Sequence, residues 1–286
     1  MKRITLCLMA SLLAAPLLAA PLSAAVQTTS APADLQNPSL SPTPRSHVGA
    51  PAKTKKPQQE VKPFSRIGLS GGVSAMGINM QAAVNVDRYL NLRGVGNYFN
   101  YNLNNQKIDS YTVNGNLHLA SGGALLDFYP FPHHGFRLSP GVIFHNENRA
   151  NGTFVINGGT DLTLNDTKYY SSASNPITGS GGVVLNNNQP EAMFTTGWGN
   201  LISRKGGHWS VPFEMGVVMI GTPGVNVSLT GGQACDSTGA NCVNVATDAT
   251  VQSNLQSQIA KYKNDLNDLK FYPVFSIGIG YNFRIR

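Results

Sequence analysis

Charged residues are scarce in this sequence, at 12% of the chain. A soluble domain usually has about 25%, so the low share argues against an ordinary soluble fold. Beyond the N-terminal segment, the sequence also lacks an apolar run of the roughly 20 residues that a transmembrane helix needs, which excludes a helical membrane bundle. Glycine is abundant, with 30 residues. Together these features predict an all-β protein with polar loops.

Clusters of basic residues are missing from most of the chain, although the net charge is +7. The first 25 residues contribute +2, and residues 26–65 contribute +3 from five basic and two acidic residues. The remainder, 66–286, holds 14 basic and 12 acidic residues. Nucleic-acid binding needs clustered Lys and Arg with stacking aromatics, so we expect no nucleic-acid partner.

The N-terminus has the order of a secretory signal peptide. Lys2 and Arg3 precede an apolar stretch over 4–22, and Ser23-Ala24-Ala25 supplies small residues at a cleavage site. We expect cleavage after Ala25. The alternative is an uncleaved membrane anchor, since the stretch is nearly long enough, but prolines within it argue against that.

Residues 26–65 are predicted to form a disordered, Pro-rich, basic linker. Seven of the 17 prolines fall there, and Phe64 is its only aromatic residue. Such a segment buries too little apolar surface to offset the entropy of ordering. Its positive charge could contact an anionic surface such as membrane or cell wall; the alternative is a solvated linker.

From residue 66 onward, apolar and polar residues alternate with a period of two, which predicts strands. Over 208–220, for example, Trp209, Val211 and Phe213 share one face, while Ser210 and Glu214 lie on the other. Alternation that changes phase within 111–129 predicts a bulge at Ser121-Gly122-Gly123. The predicted strands are 66–73, 77–86, 89–101, 111–129, 136–148, 191–202, 208–220 and 271–285.

The connections between these strands alternate between short and long. Short turns are expected at Asp87-Arg88, 130–135 and 203–207, and long loops at 102–110, 149–190 and 221–270. A soluble sandwich gives no reason for this segregation. An antiparallel up-and-down transmembrane β-barrel does, with turns in the periplasm and loops outside. We expect eight strands because the number should be even, or ten if 153–163 forms a further hairpin.

In these features the chain resembles the small outer-membrane β-barrel proteins of Gram-negative bacteria, of the OmpA/OmpX type. The resemblance rests on the signal peptide, the alternation over 66–286 and the closing aromatic strand Gly278-Ile279-Gly280-Tyr281-Asn282-Phe283. It implies an outer-membrane location with lipid as a partner. Arg284-Ile285-Arg286 extends beyond the aromatic end, which is a departure from the pattern. The resemblance implies no specific activity.

Six charged side chains are predicted to point into the barrel lumen. Three are basic and three acidic, and they are Arg93, Asp127, Arg137, Glu147, Glu214 and Arg284. Because unpaired buried charges are costly and eight strands leave room for little but side chains, we expect them to pair. The alternative is a narrow path for ions or protons.

The sequence offers two weak leads for catalysis or metal binding. His208 and Ser210 share a strand face, but Glu214 is about 20 Å from His208 along the strand, too far to orient a catalytic base. His133 and His134 fall in a turn without the further ligands that a metal site requires. We therefore expect no enzyme activity, cofactor or metal.

Cys235 and Cys242 are the two cysteines that remain after signal cleavage, since Cys7 lies in the signal. In a secreted chain they predict a local disulfide in the third long loop. Next to it, an apolar stripe predicts an amphipathic helix over 248–270 with Asp248 as its N-cap. The stripe consists of Val251, Leu255, Ile259, Tyr262, Leu266 and Leu269. It either packs on the other loops or binds a partner, ligand or lipid surface, and we expect reduction of the disulfide to loosen it.

These observations favour a barrel with a packed polar lumen and long outer loops, whose role is structural or surface interaction. The long loops are where an extracellular partner, of unknown identity, would bind. The alternative function is a narrow pore for ions or small solutes, which would need an unfilled lumen. A lipid-modifying enzyme is a third hypothesis, which would need an acid, a base and a nucleophile close together.

Overall fold

A computed structural model describes residues 62–132, 134–185, 190–203 and 207–285. The predicted signal peptide, most of the predicted linker, and His133 lie outside these residues. The described part is all-β with one helix, α1 (Ala249–Leu266). Its strands are β1 (Arg66–Ser74), β2 (Gly77–Asn85), β3 (Leu90–Ile108), β4 (Tyr111–Phe128), β5 (Arg137–Asn146), β6 (Arg149–Ile156), β7 (Asp161–Leu164), β8 (Thr167–Ser171), β9 (Ile177–Val184), β10 (Glu191–Trp198), β11 (Trp209–Ser210), β12 (Phe213–Met219), β13 (Gly224–Gly231), β14 (Gln233–Cys235), β15 (Val243–Asn244) and β16 (Phe271–Arg284).

The central sheet is antiparallel, runs up and down, and closes on itself. Pairing runs from β1 through β2, β3, β4, β5, β10 and β12 to β16, and β16 pairs with β1 again. Closure leaves no open edge within this ring, which is how a barrel avoids unpaired backbone groups. The chain enters and leaves at the same end, which we call the terminal end; the opposite end is the loop end.

Alternation along each barrel strand separates two chemically different surfaces. The outward surface is mainly apolar and mostly exposed, including Phe144, Phe213 and Ile277. Val217 has the same outward parity and is half-buried. The inward surface is buried and mixed: it carries polar residues such as Asn79, Gln81 and Ser139 and apolar ones such as Leu125 and Ile143, since the interior of a small barrel is filled by side chains.

The three segments predicted as long loops contain ordered strands, and the third also contains α1. Residues 102–110 are a continuation of the β3–β4 hairpin beyond the ring rather than a loop. β6 pairs with β4, β9 with β6, and β13 with β9. We call this layer, formed by the loop-end halves of β3 and β4 with β6, β9 and β13, the loop sheet. β6 covers part of the 153–163 segment, and it belongs to the loop sheet rather than to the ring.

A second, four-stranded sheet of β7, β8, β14 and β15 lies in the same loop region. An apolar cluster between the two sheets and α1 includes Ile156, Leu164, Ile177, Val251 and Leu255. Among the described residues, no helix is both long enough and apolar enough to cross a membrane.

The bulge predicted on β4 lies on its partner β5 instead. Gly122 pairs with His145 and Gly123 with Ile143, so Phe144 is the additional residue. β4 therefore keeps one phase, with Leu119, Ser121, Leu125 and Asp127 all buried, whereas β5 changes phase. The phase change predicted for 111–129 was wrong. The inward face of β4 changes in composition along the strand, which looks like a phase change in the sequence, but the same alternate residues point inward throughout.

The terminal end is closed by the chain itself. Leu201 and Ile202, from the connection between β10 and β11, pack with Ala83. A Cβ atom on Gly68 would lie 2.6 Å from the backbone oxygen of Leu201, so glycine is needed there for the close approach. Residues 62–65 were predicted as linker, but they bind the barrel: Phe64 N donates to Asn85 O at 2.8 Å, and Ser65 is buried.

Candidate functional site

Arg93 is the centre of a charged layer that crosses the barrel lumen. Its guanidinium contacts Asp127 at 2.8 Å and Glu214 at 2.7 Å. A third partner, the side-chain oxygen of Gln81, accepts a hydrogen bond from Nη1 at 3.0 Å. β2, β3, β4 and β12 supply these four residues, so the layer joins strands around much of the ring.

Arg137 completes the layer from β5. Its Nη2 lies 3.3 Å from Glu214 Oε2, and its Nη1 donates to Gly199 O. Ser139 Oγ donates to Asp127 at 2.7 Å, and Thr195 Oγ1 donates to Glu214. The two arginines and two carboxylates balance in charge, and each of the four residues is at most 2% exposed. Such mutual pairing is what makes buried charges tolerable in a low-dielectric interior.

On the loop-end side of the charged layer, the lumen holds an apolar cluster together with buried polar side chains such as Asn79 and Asn97. Val95, Leu125, Ile143, Met193, Val218 and Val274 form one buried cluster with Met76, Leu185 and Ile220. With Leu201 and Ile202 at the other end, the charged layer lies between two apolar layers. Beside the apolar cluster, a chain of hydrogen bonds continues from Arg93 toward the loop end, through Gln81, Asn79 and Asn97 to Ser74 and Ser121.

Two of the six predicted lumen charges do not lie in the lumen. Glu147 is exposed and lies 3.7 Å from Arg149 and 3.6 Å from His118 and from His145. The reason is the β5 bulge at Phe144, which shifts the parity of every later residue, so that Asn146 is the one that points inward. Arg284 has inward parity but is exposed, because it is the last residue of β16 at the terminal end.

Glu191 is a buried charge that the sequence reasoning missed. It is 2% exposed, and its Oε2 accepts a hydrogen bond from Asn146 at 2.7 Å. Its Oε1 has no hydrogen-bond partner among the described residues, and neither does Asn148 Oδ1. The alternation along β10 could have predicted that Glu191 points inward, since Glu191, Met193 and Thr195 share one face of the strand.

The structure does not assemble the two weak catalytic leads into a site. His208 Nδ1 lies 3.0 Å from Asn282 O, and its ring stacks on Tyr281. Within the described part of the chain, the hydroxyl of Ser210 has no hydrogen-bond partner, and Glu214 is held by the arginines. His134 contacts the Phe131 ring. No group of three or more metal-binding side chains occurs in the described part of the chain.

The apolar stripe of α1 is buried at its N-terminal half and exposed at its C-terminal end. Val251, Leu255 and Ile259 are buried, Tyr262 and Leu266 are half-buried, and Leu269 lies beyond the helix and is 54% exposed. Asp248 is the N-cap, accepting from the amides of Thr250 and Val251. The stripe thus packs on the loop region, which was one of its two expected uses.

We expect Leu255→Ala to release α1 from the loop region. Loss of a buried leucine side chain costs about 2–5 kcal/mol, and Leu255 is 3% exposed. Trypsin should therefore cut at Lys261 and Lys263 faster in the variant than in the wild type, when added to intact cells. Leu269→Ala is the matched control and should change the rate little. Equal rates in both variants would contradict the packing of the stripe, and absence of cutting from outside would contradict the sidedness of the loop.

Cys235 and Cys242 form a disulfide, the pair that the sequence predicts. The carboxylate of Asp236, within the loop that they close, accepts hydrogen bonds from the Thr238 hydroxyl and from Asn241 Nδ2. These bonds lower the pKa of Asp236 below its ordinary value. α1 is also held by Asn254, which donates to the Tyr169 hydroxyl at 2.7 Å. That reduction loosens the helix stays a prediction.

A cavity of about 660 Å³ lies beside α1 in the loop region. Leu103, Gly115, Gly152, Gly181, Val227 and Ile259 are among the residues that line it. Its volume falls in the range of small-molecule binding sites.

Comparison with solved structures finds the same barrel in another protein. The crystal structure of CarO from Acinetobacter baumannii superimposes with a TM-score of 0.54 at 17% sequence identity, covering 80% of this chain and 100% of CarO. The two chains share a fold. The crystal structure of CarO2 from the same organism gives a TM-score of 0.54 at 14% identity, covering 76% of this chain and 98% of CarO2. The sequence matches no protein-family model and no curated protein.

Proposed function

We propose that this protein is an outer-membrane β-barrel of eight strands with a closed lumen, whose function is carried by the loop region on the outer side of the membrane. In this proposal the barrel is a non-enzymatic anchor, and the loop sheet with α1 is a surface-interaction module. The single observation that carries it is the layer of Arg93, Asp127, Arg137 and Glu214, whose ion-paired side chains occupy the centre of the lumen.

The surface of the barrel supports the membrane location. Apolar residues face outward on every strand of the ring, and aromatic residues such as Trp198, Trp209 and Phe283 lie near the terminal end, as in the aromatic girdles of outer-membrane barrels. The signal-peptide pattern at the N-terminus supports export. The fold shared with CarO supports a barrel, and at this identity it supports no specific activity.

Electrical recording tests the closed lumen. The purified protein, refolded into planar lipid bilayers, is expected to give no more current than a protein-free bilayer, because the paired and fully buried side chains of the charged layer occupy the lumen at its centre. Glu147→Gln, a substitution outside the lumen, should behave in the same way. Reproducible single-channel steps whose size changes in Arg93→Gln would place an ion path through the layer and overturn the proposal in favour of a narrow pore.

A further inference from the structure

Glu191 is a buried carboxylate without a basic partner among the described residues. It begins β10 at the loop end and is 2% exposed. None of the ion pairs among the described residues includes it. Thr195, which donates to Glu214 in the charged layer, lies four residues farther along β10, about 13 Å away at 3.3 Å per residue. The arginines that compensate Glu214 therefore do not compensate Glu191.

The side chain of Asn146 connects Glu191 to the chain that leads from β5 into β6. Glu191 Oε2 accepts a hydrogen bond from Asn146 Nδ2 at 2.7 Å, and Asn146 Oδ1 accepts one from the backbone amide of Asn148 at 3.0 Å. Asn148 O in turn accepts a hydrogen bond from Leu185 N at 2.9 Å. Asn146, Asn148 and Leu185 are all buried. We call these four residues the Glu191 cluster.

Two side-chain oxygen atoms of the Glu191 cluster lack a hydrogen-bond donor. They are Glu191 Oε1 and Asn148 Oδ1, and neither has a partner among the described residues. A third oxygen, the carbonyl of Leu185, accepts from the Asn146 side chain only at the long distance of 3.5 Å. An ionised carboxylate and an amide oxygen are both acceptors, so they cannot satisfy each other. Since unsatisfied buried acceptors are costly, these atoms favour a bound group that is positively charged.

A monovalent cation fits the Glu191 cluster better than water or a divalent ion does. A water molecule could donate to both oxygen atoms, but it would leave the carboxylate charge unbalanced in an interior where unpaired charge is costly. A divalent ion would leave an excess positive charge, because Glu191 is the only acid in the cluster. The available ligand atoms are oxygens, which suit hard cations and not zinc or copper.

We propose that the Glu191 cluster binds one monovalent alkali-metal cation, with Glu191 Oε1 and Asn148 Oδ1 as its side-chain ligands. The site lies where the loop sheet joins the ring, because Asn148 directly precedes β6 and Leu185 directly follows β9. A bound cation would hold the start of the loop sheet against β10. The inference goes beyond the proposed function, since it assigns an ion to the barrel itself.

Urea unfolding of the purified protein in a non-ionic detergent tests the site. The experiment is run at about pH 8, where an ordinary carboxyl group is ionised, and sodium chloride is replaced stepwise by choline chloride at constant ionic strength. A choline ion is too large to enter a buried cluster. Above the dissociation constant, each tenfold rise in sodium should lower the unfolding equilibrium constant of the wild type about tenfold. Equal midpoints in sodium, potassium and choline would overturn the proposal.

Glu191→Gln removes the charge and keeps the shape of the side chain. The variant should unfold at the same urea concentration in sodium and in choline. In choline it should be more stable than the wild type, because no buried charge is left unbalanced. Glu147→Gln is the matched control, since Glu147 is adjacent to both asparagines but exposed, and it should keep the full sodium dependence. Loss of that dependence in both variants would assign it to general electrostatics and overturn the site.

Asn148→Asp tests the second ligand, and it keeps the proposal testable if Glu191→Gln does not fold. A second carboxylate would balance a divalent ion, so the site should then prefer calcium, an oxygen-binding cation, to sodium. Calcium chloride should stabilise this variant at concentrations that leave the wild type unchanged. An unchanged preference for sodium would contradict the role of Asn148 as a ligand.

A proton on Glu191 is the alternative occupant, and the same measurement separates it from a cation. Stability that falls with rising pH to the same extent in sodium and in choline would place a proton on Glu191 and overturn the cation site. Bilayer recording tests the proposed function separately. Single-channel steps would overturn the closed lumen and leave the cation site standing, because the site is judged by the sodium dependence of unfolding.

Discussion

Replacing Arg93 with methionine is expected to destabilise the barrel by about 3–5 kcal/mol, the cost of removing one partner from a buried ion pair. Asp127 and Glu214 would both lose their main cation, while each stays almost fully buried. Methionine retains much of the aliphatic volume, so the loss would come mainly from uncompensated charge. Against a typical total of about 5–15 kcal/mol, this is a large effect.

Urea unfolding of the protein in detergent micelles measures this effect, with the fluorescence of the two tryptophans as the signal. Arg284→Met is the matched control, because Arg284 was also predicted to point into the lumen but lies exposed at the barrel end. It should change the unfolding midpoint little. The double variant Arg93→Met, Glu214→Gln should lose less stability than the single variant, because it removes one of the two orphaned charges.

A similar loss of stability in Arg93→Met and Arg284→Met would show that Arg93 contributes no more to the stability of the barrel than a surface charge does. A double variant that is less stable than the single one would show that hydrogen bonding, and not uncompensated charge, dominates the energy of the layer.

Replacing Phe213 with arginine is expected to cost about 2–4 kcal/mol if the outward face contacts lipid near the midplane. Phe213 is exposed and pairs with Ile277, which lies in the middle of β16. An arginine there would place a charge in hydrocarbon, where water cannot solvate it. In a soluble protein the same substitution at an exposed position would be close to neutral.

Refolding from urea into lipid vesicles measures this difference. Phe131→Arg is the matched control, since Phe131 is also exposed but lies in the connection between β4 and β5 at the terminal end. There the expected cost falls to about 0–1 kcal/mol, as near a membrane interface. Equal costs at both positions would contradict the assignment of the outward face to lipid.

The sequence by itself determined the class of fold and the positions of the barrel strands. Side chains of a strand alternate between two faces, so the alternating polarity of 208–220 or 271–285 is a local signal that needs no knowledge of partners. The same logic identified Arg93, Asp127, Arg137 and Glu214 as inward-pointing. Helical spacing of apolar residues identified α1, and Asp248 marked its start because its side chain satisfies free backbone amides.

The tertiary structure alone decided which strands pair and in what register. Arg93 and Glu214 are 121 residues apart, and nothing local shows that they meet. The bulge at Phe144 belongs to the pairing of β4 with β5, so the outward position of Glu147 was not readable from composition. In the same way, Asn146 and Glu191 meet only because β5 and β10 pair. Local polarity has a period that the sequence displays, whereas register depends on contacts between distant segments.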